Sequence, residues 1–202
     1  MAPTMPQQIE RRRFNLPVEI RSEGDKTPGK ISGYSARYFD PSDPNTQYKL
    51  WEDCFERIQP GAFDSAISRG DDVRCLFNHN PDLILGRTTS GTCTIRVDAK
   101  GLWFEADLPN SPAGLTVAEA INRKDVTGCS FSFDVIAATW QEDVVDGESI
   151  WYRIITDVRL YDVGPVTFPA YGATDCDMAS ARSSLDRFRS SRPIPHSVRS
   201  RR

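Results

Sequence analysis

Two alternating stretches, 128–140 (GCSFSFDVIAATW) and 149–163 (SIWYRIITDVRLYDV), flank a polar segment that contains Asp146-Gly147. An Asp-Gly pair between two such runs is a strong short-range signal for a β-hairpin. A hairpin of this length constrains the rest of the chain. It demands an antiparallel sheet, and the period-2 pattern fixes which face of each strand meets the core. In the first strand Cys129, Phe131 and Phe133 fall on one face, and Ser130, Ser132 and Asp134 on the other.

Further strands are read in "FNLPVEI" (14–20), "KISGYSARYF" (30–39), "YKLWEDCFERI" (48–58) and "DVRCLFNHN" (72–80). Residues 91–108 read as a second hairpin around "DAKG". Two helices are expected. "PGAFDSAISRG" (60–70) stops at Gly70; in 110–125, Ser111 caps and Pro112 suits the first helical position. Seven or more strands with two helices predict a mainly β (α+β) fold. The expected architecture is a closed or nearly closed antiparallel β-barrel with a few peripheral helices.

The expected organisation is a flexible N-terminal segment (1–13), one domain (14–175) and a disordered basic tail (176–202) rich in Ser, Arg and Pro. The net charge of −3 divides unevenly. Residues 180–202 carry seven Arg against one Asp, which leaves the remainder strongly acidic. An acidic body argues against nucleic acid as the main ligand. No apolar run reaches a membrane-spanning length, so no membrane role is expected. The five cysteines (Cys54, Cys75, Cys93, Cys129, Cys176) include no C-x-x-C pair, and there are only two histidines. This predicts reduced thiols, a soluble cytosolic protein, no metal site and no cofactor.

Only His79 lies in the body of the chain, since His196 falls in the tail. It follows an apolar strand and reads either as a structural histidine or as a general base. Ser130 reads either as a polar strand residue or as a nucleophile, and a serine needs a base and an orienting partner to attack. With a turn near Asp146-Gly147, paired residue numbers sum to roughly 292, which puts Ser130 opposite about residue 162. That residue is Asp162, a solvated strand carboxylate or the partner that orients His79; Asp134 and Asp157 are further candidates for that role. Cys129 neighbours Ser130 but points to the apolar face, where burial makes a thiol inert.

"FERIQPGAFDSAI" (55–67), "VRCLFNHNPDLILGRT" (73–88), "GLWFEADL" (101–108), "VTGCSFSFDV" (126–135) and "LYDVGPVTFPAYGAT" (160–174) come in an order that resembles the caudovirus prohead proteases. These capsid maturation proteases are distantly similar in fold to herpesvirus assemblin. The resemblance implies a serine endopeptidase with Ser130 as nucleophile, His79 as base and Asp162 at the acidic position of "LYDVG". Ser132 stands where the family commonly has glycine, and Gly164 where it commonly has serine. The implied substrates are the scaffolding region of the major capsid protein, a separate scaffold protein, or both, and the protease itself. The implied location is the procapsid interior in the host cytoplasm, and the implied partners include further copies of the chain in a homo-oligomer. Two other readings stand beside this one: an inactive assembly or scaffold protein on the same barrel, and a β-barrel ligand-binding module.

Overall fold

The computed structural model describes residues 9–21, 28–169 and 175–191. The long hairpin is its spine. β10 (Gly128–Val145) and β11 (Glu148–Val166) pair antiparallel along their whole length. The turn residues Asp146 and Gly147 both have positive φ, 53° and 86°. A two-residue hairpin turn matched to strand twist requires this at both positions.

Around this spine run β1 (Glu10–Phe14), β2 (Val18–Arg21), β3 (Lys30–Arg37), β4 (Gln47–Trp51), β5 (Cys54–Ile58), β6 (Arg74–Leu76), β7 (Ile84–Arg87), β8 (Cys93–Val97) and β9 (Gly101–Asp107). The helices are α1 (Asp64–Arg69), α2 (Pro112–Asn122) and α3 (Asp175–Ser191). One sheet has the order β1-β10-β11-β5-β4, with β6 also on β11 and β7 on β6; the other is β2-β3-β9-β8. β11 is shared along its length. Its first half pairs parallel with β5, and Asp162 and Val163 pair parallel with β6.

The two sheets meet in one core. Phe131 stacks on Phe133 and Phe14 and meets Phe63 edge-on. Phe104, Leu102 and Ile31 of the second sheet join the same cluster and are fully buried. Each buried side chain of this size contributes roughly 1.5–3 kcal/mol.

Four expectations are corrected. Among the described residues neither sheet closes on itself, so the expected barrel is two open sheets over a common core. The expected strand 14–20 divides at Asn15–Pro17, and β1 and β2 join different sheets. Residues 10–13, assigned to a flexible segment, lie in β1, where Glu10 and Arg12 are buried; residues 1–8 lie outside the described residues. Likewise residues 176–191, expected to be disordered, are helical in α3. Ala181, Leu185 and Phe188 recur at helical spacing among the Ser and Arg residues, and Ala181 and Leu185 are buried against Leu50, Trp140 and Trp151. Residues 192–202, with His196, lie outside the described residues.

Candidate active site

Ser130 sits on the stretch of β10 that is buried without interruption from Gly128 to Asp134. Cys129, Phe131 and Phe133 fill the core, so strand alternation turns Ser130 and Ser132 to the opposite face. A side chain carried by a doubly paired strand in a packed sheet has little freedom to wander.

His79 comes from a loop that the fold brings to this face. β6 pairs with β11 at Asp162 and Val163, then releases the chain at Phe77. Asn78 and His79 both adopt left-handed backbone, with φ of 55° and 56°. Such conformations cost energy in non-glycine residues and persist only where surrounding contacts hold them. Here Asn78 N–H donates to the Pro165 carbonyl at 3.1 Å. Asn78 Nδ2 donates to Thr167 Oγ1 at 2.9 Å, and Thr167 N–H to Asn78 Oδ1 at 2.8 Å. The loop is thereby tied to the end of β11.

The imidazole of His79 spans two partners. Nε2 lies 2.6 Å from Ser130 Oγ, and Nδ1 lies 2.6 Å from Asp162 Oδ1. The second oxygen, Asp162 Oδ2, accepts from the Ser132 hydroxyl. Hydroxyl, imidazole and carboxylate thus form one connected row from three distant segments. A Ser/His/acid nucleophile system has this connectivity.

A family model described as caudovirus prohead serine protease matches residues 16–189. The chain belongs to this family. No curated protein matches it. Among solved structures, the capsid assembly protease gp21 of bacteriophage T4 is similar, with a TM-score of 0.51 and 14% sequence identity. The match covers 82% of this chain and 100% of that one. At that identity the likeness bears on the fold.

For a prohead serine protease, the two departures at Ser132 and Gly164 now have physical reasons. Ser132 holds the free oxygen of Asp162. Gly164 has φ 152°, and a Cβ there would lie 2.2 Å from the Leu76 carbonyl oxygen. Only glycine lets β11 approach β6 this closely, just before the histidine loop. Register is the point of difference. Ser130 pairs with Gly164, and Asp162 pairs with Ser132. Irregularities after Ser132, Val135 and Ala137 shift the simple count. Asp162 therefore reaches His79 from one cross-strand pair along, on the same face.

The competing candidates are engaged elsewhere. Cys129 is fully buried, and burial pushes its thiol pKa up. The Asp134 carboxylate accepts from the Tyr161 hydroxyl at 2.5 Å, and Asp157 accepts from Ser65. Among the described residues no three His, Cys, Asp or Glu side chains group to hold a metal ion, and no helix is long and apolar enough to cross a membrane. Two functional features escaped the sequence reading. One is the Ser132–Asp162 bond, which a register count larger by two would have shown. The other is β1: the Ser130 hydroxyl also contacts the Arg12 carbonyl, and Ser130 has no exposed surface.

Proposed function

We propose that this prohead serine protease cleaves peptide bonds through Ser130, His79 and Asp162. The observation that carries the reading is the row Ser130 Oγ–His79 Nε2 and His79 Nδ1–Asp162 Oδ1, with both separations 2.6 Å. His79 gives its Nδ1–H to Asp162, which leaves Nε2 as the acceptor. Nε2 takes the Ser130 proton as Oγ attacks the scissile carbonyl carbon. The imidazolium, stabilised by Asp162, passes that proton to the leaving amine nitrogen as the C–N bond breaks. Water, deprotonated by the same Nε2, then attacks the acyl ester, and Oγ recovers a proton as the new carboxyl product departs. Ser132 keeps the Asp162 carboxylate turned toward His79.

The substrates in this reading are the scaffolding region of the major capsid protein, a separate scaffold protein, or both, together with the protease's own chain. The site of action is the procapsid inside the host cytoplasm. Membership of the prohead serine protease family supports this, as does the likeness in fold to a capsid assembly protease. The alternative of an inactive assembly protein draws on one observation, the complete burial of Ser130. A fluorophosphonate probe separates the two. The expected result is a covalent adduct mapped to Ser130 by peptide mass and lost in His79→Ala. An adduct elsewhere, or one indifferent to His79→Ala, contradicts the proposal.

A further inference from the structure

Ser130 is wholly buried, yet a protease nucleophile must touch a protein chain. What covers it is specific. β1 lies along β10 in antiparallel register, with Arg13 opposite Ser130 and Arg12 opposite Phe131. The Ser130 hydroxyl donates to the main-chain carbonyl of Arg12 at 2.7 Å, while His79 Nε2 stands 2.6 Å away on the same oxygen. A hydroxyl has one proton to give. The Arg12 carbonyl and the His79 base compete for it, and the proton held by Arg12 is not available to the base.

We propose that β1 is a resident cover in the strand position that an extended segment of substrate takes on the edge of β10, and that Ser130 meets substrate only after β1 has left. The inference rests on the serine-protease reading above.

Two observations support it. β1 is the terminal strand of its sheet. Its departure exposes a row of β10 main-chain donors and acceptors, which an extended peptide can pair with by strand addition. The Arg12 carbonyl shows that the backbone of a strand on this edge comes within hydrogen-bond reach of Oγ. A locally unfolded protein segment fits that geometry; a folded surface does not.

The manner of attachment suits release. Phe14 is the sole apolar residue of β1 (ERRRF). Beyond Phe14 and main-chain pairing with β10, the strand is held by its charged side chains, and the Arg12 guanidinium also lies over the Tyr48 and Phe133 rings. Arg12 donates to Glu56 at 2.6 and 3.0 Å and to Glu10 at 2.6 Å. Arg153 donates to Glu10 at 2.8–3.1 Å and to Glu56 at 3.1 Å. All four side chains are buried. When β1 leaves, Glu10 and Arg12 depart together as an opposite-charge pair, and Glu56 and Arg153 keep each other. Neither half strands an unpaired buried charge, the step that makes breaking such clusters costly. Ser180 of α3 adds a further hold on Glu10, Oγ to Oε1 at 3.0 Å.

The test reads exposure without needing catalysis. In full-length Ser130→Cys protein, iodoacetamide alkylation at position 130 is followed by peptide mass mapping, alone and with Glu10→Gln/Arg12→Met added. Slow alkylation that accelerates at least about tenfold when the charges are removed is expected. A rate unchanged by their removal, or already that of an open thiol without it, overturns the cover. If the triple variant does not fold, hydrogen exchange on Ser130→Ala protein decides. The β1 amides should exchange at least about tenfold faster than those of β11 beside Ser130; equal protection overturns the proposal. A final arm separates the two readings. Phe14→Cys places a thiol opposite Cys129, and oxidation there pins β1. Loss of peptide cleavage on oxidation, restored by reductant, supports the cover. Undiminished cleavage with β1 pinned overturns the cover and leaves the protease reading standing. Faster alkylation without any peptide cleavage supports the cover and counts against the protease reading.

Discussion

Two buried polar clusters flank β10, one on each face. On one face stand Ser130, His79, Asp162 and Ser132, joined as a single hydrogen-bonded row. On the other, beside Phe131 and Phe133, lie Glu10, Arg12, Glu56 and Arg153. Both gather residues far apart in the chain, and both satisfy polar groups that would otherwise be costly to bury. They differ in what their geometry is for. In the proposed reading the first holds a nucleophile, a base and an acid in order. The second balances two carboxylates against two guanidinium groups and ties the N-terminal strand to β5 and β11. Removing a member should therefore cost chemistry in the first cluster and stability in the second.

The largest break in that contrast is His79→Ala. It should cut peptide cleavage on the order of a millionfold, as loss of a base does in triad enzymes. Its cost in urea unfolding should be smaller than that of breaking the second cluster, because Asp162 keeps its bond from Ser132. Asp162→Asn should follow at roughly ten-thousandfold, because the amide favours the wrong imidazole tautomer. Equal activity of either variant and wild type in a peptide-cleavage assay would dissolve the distinction between the clusters.

The second cluster is tested by Glu56→Ala. It leaves two guanidinium groups facing one carboxylate in the interior, and should cost about 3–5 kcal/mol in urea unfolding. A change below about 0.5 kcal/mol, the scale of ordinary surface substitutions, would show that water already reaches these charges.

Ser132→Ala sharpens the comparison, since this buried residue joins the first cluster through its bond to Asp162. Losing its bond to Asp162 should lower kcat about tenfold, the equivalent of ~1.4 kcal/mol for a bond to a charged group. KM should be unaffected, and Ser132→Thr should restore the rate by keeping the hydroxyl. A purely structural role would instead lower stability and leave kcat of the folded fraction intact.

The smallest effect is one of pH. Burial alone would raise the Glu10 pKa, but Arg12 and Arg153 outweigh it and hold the carboxyl below its ordinary 4.5. A lowered folded-state pKa gives stability that is complete above about 4.5 and lost as pH falls through the folded value. Unfolding free energies measured between neutral pH and pH 3 should decline in wild type, and decline less in Glu10→Gln. Parallel curves would assign the acid sensitivity elsewhere.

The two clusters were unequally legible in the sequence, and the cause is chemical. Histidine is rare in this chain, so His79 stood out as the sole candidate base in its body. The Asp-Gly turn gave a ruler along the hairpin that placed Asp162 opposite Ser130, two residues short of the true partner Gly164; one residue of the error lay in the starting count at the turn and one came from bulges that no composition marks. Glu10, Arg12, Glu56 and Arg153 are common residue types that are exposed in most settings. Nothing local distinguishes Arg12 from Arg11 or Arg13, and the burial of one among three depends on partners more than 40 residues away. For the same reason β1 read as a frayed end. α3 was hidden by its Ser and Arg content, although Ala181, Leu185 and Phe188 kept helical spacing. The strands themselves were largely readable, while the closure of a sheet depends on edge pairings that sequence does not display.

The most direct test of the proposed catalytic row is co-expression with a major capsid protein as candidate substrate, wild type against Ser130→Ala, with the capsid protein weighed by intact mass. Wild type should yield a shortened capsid protein whose mass gives the cleaved bond, and Ser130→Ala should leave it full length. The same shortened mass in both would contradict Ser130 as the nucleophile.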